Sequence, residues 1–338
     1  MPEPLSTGAG LDLLRPCLVL LAALLVEVCV GDIRLPSRLF PTPGRLVTAL
    51  AQGADRKLNR PGRGERTLLV RGVLVMVVLV GGAALAGAGL DWLVRQMRNG
   101  WILEALLLVS ALHVRRPLNR AAAVAGALLS RDRAAAATAL DGQTFRHLPS
   151  LDEHGMARAA IEMLARGTAS GLVAPAFWYL LAGPAGLLAW VAAERLDAVV
   201  GRPGLQDAAF GTTAAGLRHA MAAIPAGLAA GSVVAAALAV PGANARAAVR
   251  AVAVHGRAVA PGNAGWTDAA YAGALDVALG GPRRRGEVVA DAPWIGTGRA
   301  KIVPADVHRA VILNAVAAGL GAVLVLAAAL ALLVTSVG

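Results

Sequence analysis

Long apolar runs separated by arginine-rich connections set the pattern of this chain. A membrane helix needs roughly 20 mostly apolar residues. Leu11 to Val30 has that length, although Arg15, Pro16 and Glu27 interrupt it. Leu68 to Leu90 is the cleanest early run, with Arg71 placed near one end, where a long cation can reach the interface. Leu172 to Ala193 is apolar throughout but contains the breaker sequence Gly183-Pro184-Ala185-Gly186. Ala223 to Val240 is a shorter run, and Ala310 to Val337 is a strong final one. Trp101 to Leu112 and Ala121 to Leu129 are shorter still and flanked by Arg115, Arg116, Arg131 and Arg133. They predict either an amphipathic helix pair or one bent span. The pattern as a whole predicts an all-α, polytopic helical membrane protein, with residues 1–338 as a single membrane domain.

The connections carry the charge. Gly31 to Arg66 holds eight cations, from Arg34 to Arg66, against Asp32, Asp55 and Glu65. Gly242 to Arg309 is also basic, notably at Arg283-Arg284-Arg285, Arg299 and Lys301. Basic connections between spans lie on the cytoplasmic side, so both are expected there, in a multi-pass protein of the inner membrane. If every run crossed fully, Glu194 to Met221 would fall on the opposite side. Pro removes a backbone hydrogen bond and Gly relaxes the chain, so Leu172 to Ala193 is expected to turn back at Gly183-Pro184 as a re-entrant hairpin. Such breaks are tolerated where they are buried in protein or line a cavity.

Composition supports the membrane reading. The 338 residues are 57% hydrophobic and only 16% charged, against about a quarter charged in soluble chains. The formal net charge of +11 does not point to nucleic acid, because a binder gathers cations on a solvated domain beside stacking aromatics. Here the cations sit between apolar runs, and aromatics make up 4%. Cys17 and Cys29 are twelve residues apart on one run, about 18 Å along a helix, too far to bridge. They read as packing residues and build no metal set. Met1 to Gly10 lacks the positive region of a secretory signal, so the first run is expected to be a retained anchor.

Polar residues then stand out in ordered blocks. Glu27 precedes Gly31-Asp32, and Pro41-Thr42-Pro43-Gly44-Arg45 follows. An acid within an apolar run faces protein or a cavity by default, unless it sits at the interface. Arg158, Ile161 and Glu162 lead through Thr168 and Gly171 to Ala174-Pro175 and Phe177-Trp178. Read alone, Arg158 and Glu162 are four apart on one helical face, a surface ion pair worth a few tenths of a kcal/mol. Glu194-Arg195-Leu196-Asp197 runs on to Val200-Gly201, and Phe210-Gly211, Ala214-Ala215, Arg218-His219 and Ile224-Pro225-Ala226 follow. Last come Pro261-Gly262-Asn263-Ala264-Gly265-Trp266, Leu279-Gly280-Gly281-Pro282, Gly286-Glu287 and Pro293-Trp294-Ile295-Gly296. No GxxxxGK(S/T), HExxH, GxSxG or CxxC pattern supports another enzyme class.

This ordered set resembles the adenosylcobinamide-phosphate synthase family of membrane-embedded cobalamin-biosynthesis proteins, across nearly the whole chain. Several polar positions depart from that pattern. Arg166-Gly167 stands for Glu-Asn, Ser170 for Asp, Arg218-His219 for a pair of aspartates, Gly227 for Arg and Arg285 for Tyr. The resemblance implies ATP-dependent amidation of adenosylcobyric acid by aminopropanol or its phosphate, through an acyl phosphate and with Mg²⁺. It implies catalytic roles for Glu162, Asp197 and Asn263, with Glu162 and Asp197 as Mg²⁺ ligands. It also implies cofactor or substrate contacts at Arg158, Thr168, Gly265 and Trp266. Partners would be the corrinoid, the amine, the lipid bilayer and other enzymes of the pathway. A cation at Arg218 disfavours Mg²⁺ nearby, so a non-catalytic relative that binds or scaffolds the pathway is the second reading. A transporter, suggested by the Gly-Pro break alone, is the third.

Overall fold

A computed structural model describes residues 7–31, 42–60, 64–142, 144, 146–201, 208–256, 264–285, 288–290 and 292–337. In chain order the helices are α1 (Thr7–Val30), α2 (Pro43–Leu58), α3 (Glu65–Met76), α4 (Gly82–Gln96), α5 (Trp101–Ala111), α6 (Arg115–Leu129) and α7 (Arg133–Leu140). They continue with α8 (Glu153–Arg166), α9 (Ala174–Val200), α10 (Ala208–Ala239), α11 (Ala245–His255), α12 (Ala264–Leu275) and α13 (Pro304–Val337). Short strands β1 (Leu279–Gly280), β2 (Arg283–Arg285), β3 (Val288–Ala290) and β4 (Trp294–Ile295) lie between α12 and α13. Single π-helical segments, Val77–Gly81 and Gly167–Val173, link α3 to α4 and α8 to α9.

The protein is an all-α membrane protein, as its apolar pattern requires. Among the described residues, four helical stretches are long and apolar enough to cross a membrane: Glu65–Gln96, Glu153–Val200, Ala209–Ala239 and Pro304–Val323. The fourth apolar run lengthens from the expected Ala223–Val240 to the whole of α10, because Phe210, Ala214 and Ala222 also pack inward. The short runs at Trp101 and Ala121 form two separate helices, α5 and α6, with extended backbone at Leu112 between them. Both basic connections contain amphipathic helices that their charge conceals in the sequence: α2 in the first, α11 in the second.

The chain divides into two compact units. One comprises Met1–Leu112, Ala174–Ala222 and Val325–Gly338; the other comprises His113–Val173 and Ala223–Leu324. In the first, α2 buries Ala51 with Leu68, Val75, Leu196, Val199 and Phe210. Glu27 is buried, as expected of an acid facing protein. The second unit has an alanine-rich core in which α8, α11 and α12 approach closely. A Cβ on Gly273 would meet the Ala247 carbonyl and Ala248 Cα at 2.5 and 2.6 Å, the small-residue contact that lets membrane helices pack.

The expected break in the Leu172 to Ala193 run is present. Helix α9 breaks at Ala182 (φ −140°) and Gly183 (φ +58°, ψ −150°), and a second helical piece begins at Pro184. Gly186 abuts the carbonyl of Trp178, although eight residues of straight helix would separate them by about 12 Å. The chain therefore folds back on itself there. The ψ of Gly183 places it in a region open essentially to glycine alone, and holding another residue there costs about 1–3 kcal/mol. Nothing lies within 4 Å of a Cβ at this position, so the cost of Gly183→Ala is purely a backbone one. That variant is expected to lower the thermal unfolding midpoint in detergent, and an unchanged midpoint would contradict the turn.

Candidate functional site

Two of the polar blocks, Arg158 to Thr168 and Leu279 to Gly296, meet in the second unit around one face of α8. The helix starts where the Asp152 side chain caps the Gly155 N–H at 2.7 Å. Arg158 and Glu162, one turn apart, both face the segment from Ala278 to Ala300. Arg158 donates from Nε to the Ala278 carbonyl (3.2 Å) and from Nη2 to the Ala300 carbonyl (2.6 Å). Its guanidinium also lies 4.7 Å from the centre of the Trp294 ring, a cation–π contact.

Glu162 is not part of a surface ion pair. It is 4% exposed and forms a two-pronged pair with Arg146: Nη2 to Oε1 at 2.7 Å and Nε to Oε2 at 3.1 Å. Gly280 donates its N–H to the same Oε1 at 2.9 Å, and Arg146 Nη2 also donates to the Gly280 carbonyl at 2.6 Å. Both side chains of the pair are 4% exposed. A buried pair is sustained only when further hydrogen bonds satisfy it, and Gly280 supplies them. Arg146, in the connection between α7 and α8, was not singled out in the sequence. Its partners are 16 and 134 residues away, and no local pattern announces such a contact.

The glycine-rich pieces have a local reason. Strands β1 and β4 pair antiparallel, Leu279 opposite Ile295 and Gly280 opposite Trp294. Gly280 and Gly281 have φ of +72° and +74°. A Cβ at Gly280 would meet the Pro293 carbonyl at 2.6 Å, and one at Gly281 would meet the Trp294 ring at 2.8 Å. The Gly-Gly-Pro and Pro-Trp-Ile-Gly sequences are thus two halves of one turn, held to α8 by Arg158 and Glu162.

Thr168 lies further along, in the π-helical segment. Its hydroxyl is 2.7 Å from Asn314 Oδ1 and 3.1 Å from the Tyr271 hydroxyl, which in turn donates to Asn314 Oδ1 at 2.9 Å. All three side chains are buried. Burial pushes the Tyr271 hydroxyl well above its usual range, so it stays a neutral donor. Trp266, half-buried on α12, sits against two glycines. A Cβ on Gly227 would come within 3.0 Å of its ring, and one on Gly256 within 3.1 Å on the Cδ1 side. The space a larger residue at position 227 would need is therefore occupied by the indole. Gly265 is buried on the same helix. Asn263 lies outside the described residues, as do Asp32 and Glu287.

Asp197 belongs to the first unit, near the end of α9. Its Oδ2 contacts Arg218 Nε of α10 at 2.5 Å, with the two side chains 17% and 18% exposed. His219 adjoins this pair and is partly buried. The same unit holds a network absent from the sequence reading. Glu104, 4% exposed, accepts from Tyr179 at 2.7 Å and from Arg15 at 3.0 Å.

Neither carboxylate proposed for Mg²⁺ offers a fitting donor set. The ion prefers octahedral coordination by hard oxygens. Both Glu162 oxygens accept from Arg146 and one also from Gly280, and Asp197 is held by a guanidinium. Among the described residues, no group of three or more His, Cys, Asp or Glu side chains could hold a metal ion.

Comparison with known proteins gives a consistent result. The family described as CobD/Cbib protein matches residues 20–314. The chain is 36% identical over 302 residues to the cobalamin biosynthesis protein CobD of Sinorhizobium fredii (strain NBRC 101917 / NGR234), covering 87% of this chain and 91% of that one. It is 33% identical over 293 residues to the protein of the same name from Rhodobacter capsulatus, covering 85% and 91%. It is 33% identical over 285 residues to that of Pelobacter propionicus, covering 82% and 84%. No solved structure matches it. With a match that runs from the first apolar helix to the last, the chain belongs to the CobD/Cbib family.

Proposed function

We propose that this chain is a synthase of cobalamin biosynthesis in the inner membrane, joining aminopropanol or its phosphate to adenosylcobyric acid by ATP-dependent amidation. The family relationship supports the pathway. The observation that carries the reading is the convergence of Arg158, Glu162 and Thr168 on Gly280, Trp294 and Tyr271.

In this reading these contacts are framework, because their polar atoms are engaged within the protein. Substrate contact falls to the start of α12, where Asn263 would orient the substrate beside Gly265 and Trp266. ATP would supply the activation that an amide bond from a carboxylate requires. No step is assigned to Mg²⁺ at Glu162 or Asp197, since a cation at either would have to displace or adjoin a guanidinium.

A second reading is a non-catalytic membrane relative that binds or scaffolds the corrinoid pathway. The Asp197–Arg218 pair favours it, since a cation stands where the family pattern has an acid. Expression in a strain lacking its own synthase and supplied with adenosylcobyric acid separates the two. Restored cobalamin-dependent growth supports the enzyme. Absence of growth despite normal membrane levels supports the relative.

A further inference from the structure

The corner between α4 and α5 repeats the polarity profile of a bilayer and then reverses it. Along the rod that ends in α4, Val78, Leu85 and Trp92 recur every seven residues and are 66%, 76% and 66% exposed. They form one outward stripe that ends in an indole. Arg95 and Arg98 follow, both exposed. The backbone then turns, with Met97 extended and Gly100 packed against Val94 so tightly that a Cβ would meet Val94 Cγ1 at 2.8 Å. After the turn comes a second exposed indole, Trp101 (47%), and then exposed Ile102, Leu103 and Leu106. The order is apolar, tryptophan, arginine, arginine, tryptophan, apolar.

Each part of that order has a physical address. Exposed aliphatic side chains lie in acyl chains, indoles lie at the interface where one edge is wet, and arginines lie among the headgroups. A tight turn has two neighbouring helix ends, so both can sit at one depth. Asp91 pairs with Arg95 at 2.9 Å, which leaves the corner cationic by one unit, from Arg95, Arg98 and Asp91 together.

We propose that this corner is a built-in anchor for anionic phospholipid. Trp92 and Trp101 rest at the base of the headgroup layer, while Arg98, with Arg95, contacts lipid phosphodiesters. The partner is a lipid surface carrying negative headgroups, and the anchor fixes the depth of α4 and α5. It does not depend on whether the chain is an enzyme.

The test uses the full chain in vesicles of phosphatidylcholine or phosphatidylglycerol brominated near the glycerol end of the acyl chains. The signal from the corner is the difference in fluorescence between the parent and Trp92→Phe/Trp101→Phe. Bromolipid should quench that difference, and aqueous iodide should not. In mixed vesicles, brominated phosphatidylglycerol should be preferred over phosphatidylcholine by about fivefold, the factor that corresponds to one cation near an anionic surface. Arg98→Gln, which leaves Arg95 balanced by Asp91, should bring the ratio close to one, and Arg98→Lys should keep it. A nitroxide at Asn99 in a chain with its two cysteines replaced gives an independent depth, through collision with oxygen against a water-soluble nickel chelate. Quenching by iodide, an equal response to the two lipids, or a nitroxide fully open to nickel would overturn the proposal.

Discussion

Arg146→Ala should be the most damaging single change in the second unit, costing about 3–5 kcal/mol, because it leaves the buried Glu162 carboxylate without its counter-ion. Glu162 is 4% exposed, so bulk solvent cannot take the place of the guanidinium. The same change releases the Gly280 carbonyl, so the β1–β4 turn loses a tie to α8. Thermal unfolding in detergent should show a large drop for Arg146→Ala and for Glu162→Ala. The double variant Arg146→Met/Glu162→Leu should recover most of it, since replacing both partners by apolar groups of similar volume is often neutral. That double variant also separates framework from chemistry. If Glu162 serves only to hold the turn, the double variant keeps the ability to complement a synthase-deficient strain. Loss of complementation at restored stability would give Glu162 a role at the substrate.

The second large effect concerns Asp197. Asp197→Ala strands the Arg218 guanidinium, which is 18% exposed, and should lower the thermal unfolding midpoint. The reciprocal change is more informative. Arg218→Asp/His219→Asp lowers the local formal charge by three units, two from the arginine and one from a neutral histidine. It would set new carboxylates next to Asp197 and approach the hard-oxygen donor set that Mg²⁺ requires. If the site still holds substrate, Mg²⁺-dependent turnover should rise by about tenfold or more, the scale on which metal-site neighbours act. Turnover with an unchanged Mg²⁺ dependence would remove this pair from the chemistry.

Much of the architecture is legible in the chain because the membrane allows few solutions. Apolar length located the four stretches long enough to cross a membrane, and the Gly183-Pro184 pair located the break in α9, since only a residue tolerant of unusual backbone angles can begin that turn. The ordered blocks located the α8-centred frame, although not how it closes. Arg146 stayed hidden because its partners are fixed by tertiary closure rather than by helical spacing. The Glu104 network stayed hidden for the same reason, with Tyr179 and Arg15 lying 75 and 89 residues from it. Helices α2 and α11 were masked by their charge, which makes an amphipathic helix resemble a basic loop when only net composition is weighed. The spacing of Arg158 and Glu162 was correct in placing them on one face, but burial turned an apparent surface pair into two clasps on the same turn.

The most direct measurement is the ATP-dependent conversion of adenosylcobyric acid by the purified protein, with aminopropanol and with its phosphate as alternative amines. The account predicts an amide product that requires ATP. No product under conditions where a CobD relative keeping the paired aspartates is active would contradict it, and would leave this chain as a membrane protein that retains the frame without the reaction.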